Sequence, residues 1–103
     1  MSTVLNEIKD HVAVITLNRP EALNALSTAV LTDLNKTLDE IEKAKDVYAV
    51  IITGAGDKSF VAGADIAEMK DKNKAQAAEY GAFGNKVFSR IENFRCPVIA
   101  AIN

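Results

Sequence analysis

The apolar residues of this chain keep switching period, and that alternation constrains the fold more than any other feature. VLNEIK (4–9) and HVAVITL (11–17) are β-rich runs separated only by Asp10, a link so short that they read as an antiparallel hairpin. In the second run both faces are apolar, so that strand is expected to be buried on both sides. NRPEALNAL (18–26) breaks the pattern with Pro20 and its asparagines, and Ser27 is a good helix N-cap because its hydroxyl can accept an otherwise orphan backbone N–H. Leu31, Leu34, Leu38 and Ile41 then recur at helical spacing, with Asp39 and Lys43 paired four apart on the polar side. VYAVIITG (47–54) returns to a β-branched run, expected as a central strand ending at Gly54. Residues 74–94 read as a helix with Tyr80, Phe83, Val87, Ile91 and Phe94 on one face. Gly81 and Gly84 each weaken it by about 1 kcal/mol relative to alanine, which predicts close packing or an irregularity there. PVIAAIN (97–103) reads as the last strand. The order ββ, α, β, α, β implies an α/β layered unit whose helix-linked strands pair in parallel with right-handed crossovers. No repeat, low-complexity tract or linker marks an internal boundary.

With 49% apolar and 25% charged residues in 103, the chain belongs among globular sequences. A formal charge of -2, with lysines interspersed among acids, leaves no basic footprint for nucleic acid. MSTVLNEIKD has no basic stretch followed by an apolar core, and runs such as VIAAI fall far short of the ~20 residues a membrane span needs. The expected location is cytoplasmic, with neither nucleic acid nor membrane as partner. Cys96 has no second cysteine to bridge to; beside Pro97 at the head of an apolar run it reads as a buried hydrophobe rather than a reactive thiol.

SFVAGADIAEM (59–69) stands out because it is a loop stripped of side-chain chemistry. Asp65 with Glu68 three residues on forms a capping-box pattern, which starts a helix directly after Ala64. The first N–H groups of a helix lack internal partners, so small residues at Ala62, Gly63 and Ala64 would let a carbonyl oxygen approach the main chain and be stabilised as it gains charge. A merely structural turn has the same pattern. His11 reads as a solvated turn residue, Asp57 and Lys58 as an exposed turn in GAGDKSF with Lys58 also able to meet an anion, and Glu68 as a cap. No Cys/His spacing suggests a metal site, and no glycine-rich phosphate loop is present.

Taken together and in order, LNRPEALNALS, VIITGAGDKSFVAGADIAEM and CPVIAAIN resemble the N-terminal part of the enoyl-CoA hydratase/isomerase (crotonase) superfamily, over about Val12 to Asn103, with the flavour of its bacterial short-chain hydratases. The resemblance implies a crotonase-like spiral of ββα units of which residues 1–103 form the N-terminal portion. It implies an acyl-CoA thioester as ligand, no metal or redox cofactor, and assembly into trimers or pairs of trimers. By the same resemblance the Ala64 backbone N–H is one donor of an oxyanion hole. Ala62, Gly63, Asp65 and Ile66 line the surrounding acyl-CoA pocket; Ala22, Leu23 and Ala25 lie along the CoA moiety; and Lys58 meets a CoA phosphate. Glu21 and Ala67 depart from relatives that carry lysine there. Family chains continue past AAIN into a glycine-rich segment with the second donor and then two catalytic glutamates, so the chain reads as a truncated hydratase, itself inactive. Two rivals stay open: an isomerase, thioester hydrolase or decarboxylase of the same superfamily, and a non-catalytic α/β binding module.

Overall fold

The computed structural model of the chain describes residues 2–103. Its elements are β1 (Val4–Lys9), β2 (Val12–Leu17), a short 3-10 turn (Pro20–Ala22), α1 (Thr28–Lys43), β3 (Ala49–Gly54), α2 (Ile66–Met69), α3 (Lys74–Glu92) and β4 (Val98–Ala101). They form one four-stranded sheet in the order β1-β2-β3-β4, antiparallel between the first pair and parallel thereafter. Asp10 and His11 make the hairpin turn with φ of 52° and 69°, the left-handed pair whose twist matches that of the flanking strands. His11 is more than a solvated turn residue: its Nδ1–H donates to the Asp46 carbonyl at 2.7 Å and its ring stacks on Tyr48.

α1 begins as its sequence prescribes, with the Ser27 hydroxyl accepting the Val30 N–H at 3.2 Å. Its apolar side packs Val30, Leu31, Leu34, Leu38 and Ile41 against Ala13, Ile15 and Leu17 of β2 and Val50 and Ile52 of β3, and Val87 of α3 joins the same cluster. Leu38, Ile41 and Ile15 are wholly buried, so truncating any one to alanine costs about 2–5 kcal/mol.

Three expectations change. β2 is closed on one side only: Ala13, Ile15 and Leu17 are buried, whereas Val12, Val14 and Thr16 are half-buried, because α1 and α3 join one and the same core. α3 runs through Gly81 and Gly84 without a break, and a Cβ would meet nothing within 4 Å at the first and only Leu31 Cδ1, at 3.8 Å, at the second. Neither glycine is there to allow close packing. Cys96 is half-buried against the rim of the core rather than enclosed by it. β4 forms one edge of the sheet, opposite β1, and Ile99 on it is 53% exposed.

Candidate functional site

Two loops, residues 18–27 after β2 and residues 55–65 after β3, leave the same end of neighbouring parallel strands and are laced together. The lace is Asn24, only 1% exposed, which sits beside Leu23 in left-handed backbone (φ 58° and 55°). Its Oδ1 accepts the Arg19 N–H at 2.8 Å, and its Nδ2 donates to the carbonyls of Ala55 and Ser59 at 3.1 and 3.0 Å. Gly54 makes room for this: a Cβ there would lie 2.6 Å from the Phe60 carbonyl and 2.8 Å from Asn24 Nδ2. The Leu23 carbonyl accepts both the Ala62 N–H and the Ser59 hydroxyl, and the Leu26 N–H donates to the Gly63 carbonyl at 2.8 Å. Gly63 has φ of +106°, a conformation that L side chains avoid. Asn103 ties the chain end to the same loop through the Gly56 and Ser59 carbonyls.

At the end of this lacework Ala64 is exposed, and among the described residues nothing accepts its N–H. It borders, with Gly63, Tyr80, Gly84, Phe88 and Val98, an apolar cleft of about 620 Å³ between the sheet and α3. Asp65 caps α2 through the Glu68 N–H at 3.2 Å and accepts Arg19 Nη1 at 2.7 Å; Arg19, whose Nη1 also reaches the Ala25 carbonyl, is thereby fixed between the two loops. The Arg19 hydrogen bond, aided by the Glu68 N–H, holds the Asp65 carboxyl below its ordinary value against the opposing effect of burial. The Asp65 N–H donates to the Tyr80 hydroxyl at 3.2 Å, and that hydroxyl donates to the Leu26 carbonyl.

The capping box of the sequence is half formed. Glu68 does not reach back to Asp65; its carboxylate accepts the Thr28 N–H at 2.8 Å and the Thr28 hydroxyl, and meets Lys72 Nζ at 3.2 Å. A carboxylate at the N-terminus of α1 is favoured by the unpaired N–H groups and dipole of that longer helix, which outcompete the single turn of α2. Burial raises the Glu68 carboxyl, but the Thr28 and Lys72 bonds outweigh it and leave it lowered.

The residues singled out in the sequence therefore fall into separate places. Gly63 and Ala64 border the large cleft. Leu23 and Lys58 meet across a smaller hollow of about 210 Å³ with Pro20 and Asp57. Ala22 and Ala25 are half-buried in the first loop, and Ala62 bridges the two loops through its N–H. The Asp65 carboxylate is committed to Arg19, and Ile66 is 81% exposed and outside both hollows. Nothing in the sequence marks Arg19 as a site residue, or Tyr80 as more than a member of an apolar helix face, whereas an asparagine such as Asn24 in a Pro-broken loop is a signal for left-handed backbone.

A sheet with parallel strands whose carboxyl-end loops present a bare backbone donor beside an apolar cleft is the arrangement of an α/β ligand-binding site. The profile of the enoyl-CoA hydratase/isomerase family matches residues 7–103, and the chain belongs to that family. It is 52% identical over 103 residues to the short-chain-enoyl-CoA hydratase of Clostridium acetobutylicum, covering 100% of this chain and 40% of that protein. To the crotonyl-CoA hydratase of Syntrophomonas wolfei it is 45% identical over 100 residues, covering 97% of this chain and 38% of the relative. The crystal structure of an enoyl-CoA hydratase from Bacillus anthracis superimposes with a TM-score of 0.92 at 34% identity, over 96% of this chain and 39% of that one. The fold is thus α/β and crotonase-like, the N-terminal portion of it: the chain spans about 40% of the length of the relatives it matches. No helix among the described residues is long and apolar enough to cross a membrane.

Proposed function

We propose that this chain forms part of the acyl-CoA thioester site of an enoyl-CoA hydratase and contributes one of its oxyanion donors, the Ala64 N–H. The observation that carries the reading is that, among the described residues, nothing accepts this N–H at the edge of the apolar cleft, on a turn held by the Ala62 N–H, the Gly63 carbonyl and the Asp65 N–H and cap. In the reaction, water oxygen bonds to the β-carbon of a trans-2-enoyl thioester as one water O–H bond breaks and its proton passes to a base, the π electrons move toward the thioester oxygen, and an acid then delivers a proton to the α-carbon; dehydration is the reverse. Charge peaks on the thioester oxygen, and a preorganised donor aimed there is worth about 10²–10³ in rate. The acyl tail would enter the cleft, while Ala22, Leu23, Ala25 and Lys58 follow the CoA moiety, with Ala62, Asp65 and Ile66 framing the turn.

Proton transfer needs groups that titrate near the working pH. Asp65 and Glu68 are held below the ordinary carboxylate range and are bound by Arg19, Thr28 and Lys72, so they are not the acid and base. Those groups belong to the remaining length that the relatives possess. The proposal extends to catalysis without metal or redox cofactor, a cytoplasmic location, and a trimeric or hexameric full-length assembly. Among superfamily reactions, hydration is favoured because the relatives matched at 52% and 45% identity are named hydratases. Titration calorimetry of the chain with butyryl-CoA and with free CoA tests the reading: tighter binding of the thioester is expected, and equal affinities would refute an acyl site.

A further inference from the structure

We infer that Tyr80 is a positioning residue that occupies the N–H next to Ala64 and holds the Ala64 donor toward the cleft; the inference rests on the acyl-thioester reading above. Leu26 and Ala64 are aligned as a single parallel bridge. One rung is direct, from the Leu26 N–H to the Gly63 carbonyl at 2.8 Å. The other would run from the Asp65 N–H to the Leu26 carbonyl, as parallel pairing requires. The Tyr80 hydroxyl stands between those two groups, accepts from the Asp65 N–H and donates to the Leu26 carbonyl.

Two consequences follow from that insertion. Asp65 carries the next N–H along the turn, which would otherwise compete with Ala64 for the same oxygen, and the hydroxyl occupies it. Asp65 is also anchored twice, by its amide on Tyr80 and by its carboxylate on Arg19 at 2.7 Å, so the turn cannot swing about its own cap. The anchor is delivered by α3, outside both laced loops. The Tyr80 ring borders the large cleft on one side and a second hollow on the other, where Lys72 Nζ lies 5.6 Å from the ring centroid while also pairing with Glu68. The seating of α3 and the aim of Ala64 are thereby one event.

The test is amide hydrogen exchange, read by 15N NMR on the 103-residue chain, comparing wild type with Tyr80→Phe, which keeps the ring and deletes the hydroxyl. The Asp65 amide is expected to exchange about tenfold faster in the variant, the factor associated with one lost hydrogen bond, while Ile15 and Ile52 keep their rates. Phe83→Leu, which loosens the same helix face without touching the hydroxyl, should leave the ratio of Asp65 to sheet rates unchanged. Equal Asp65 rates in wild type and Tyr80→Phe, or acceleration spread evenly over the sheet, overturns the inference. Saturation with butyryl-CoA adds the functional arm: the Ala64 amide proton should move downfield in wild type and less in Tyr80→Phe, and identical movement in both also overturns it. An Ala64 signal that stays still in the wild type sinks the acyl-thioester reading instead, and the ligand-free exchange ratio still decides the role of Tyr80.

Discussion

Replacing Asn24 with alanine removes the side chain that laces the two site loops, and the cost can be worked from its partners. The Arg19 N–H and the Ala55 carbonyl lose their hydrogen bonds, whereas the Ser59 carbonyl keeps Asn103 Nδ2 at 3.1 Å. Two orphaned backbone groups at about 1–2 kcal/mol each, plus about 1 kcal/mol for placing alanine in left-handed backbone, give about 3–5 kcal/mol. Against the 5–15 kcal/mol typical of a whole domain, roughly, that is a large share. Urea unfolding followed by far-UV circular dichroism should show the midpoint lowered by about 2–3 M, taking a slope of about 1.5 kcal/mol/M. Asn24→Gly relieves the backbone strain and should recover about 1 kcal/mol of the loss. A midpoint for Asn24→Ala within about 0.5 M of wild type would refute the reasoning, since it would mean that neither the lost bonds nor the left-handed backbone carries the expected cost.

The Arg19–Asp65 pair gives a pH signature: a lowered carboxyl stabilises the fold fully above its unfolded value near 3.8 and progressively less as pH falls through its folded value. The stability gap between wild type and Arg19→Met should therefore be constant near neutrality and shrink below about pH 4, and a gap independent of pH would contradict the pairing. β4 and the residue that follows it expose an apolar edge, with Ile99 at 53% and Ile102 at 77% exposure, so sedimentation should find concentration-dependent association that Ile99→Lys diminishes; a strict monomer at high concentration would oppose this. Purified chain should not hydrate crotonyl-CoA above background, because Asp65 and Glu68 are the wrong acids; turnover abolished by Ala64→Pro would place acid–base groups within these residues.

What the sequence discloses and what it hides divide along one physical line. α1, with its Ser27 cap and leucine stripe, and the hairpin at Asp10 and His11 were legible because their causes lie within a few residues of each other. The Asp65 cap was legible for the same reason. The role of Glu68 is hidden in the sequence because its competing partner, Thr28, lies forty residues away at the start of a longer helix. Arg19 and Tyr80 were hidden likewise, one as a charge in a loop and the other as a member of an apolar stripe, until the sheet brought both to Asp65. β2 shows the same limit from the packing side: an all-apolar run states that burial is possible on both faces, and only the placement of α1 and α3 in one core decides that one face is covered. Gly81 and Gly84 posed a local question whose answer is the open wall of the cleft rather than a close contact.

Polarisation of a thioester carbonyl by the Ala64 N–H is read directly by the 13C resonance of carbonyl-labelled butyryl-CoA bound to the chain. Donation into the carbonyl should move that resonance downfield on binding to wild type and to Ala64→Gly, which keeps the N–H, and leave it near its free position on Ala64→Pro, which lacks one. The same displacement with all three proteins would contradict the account.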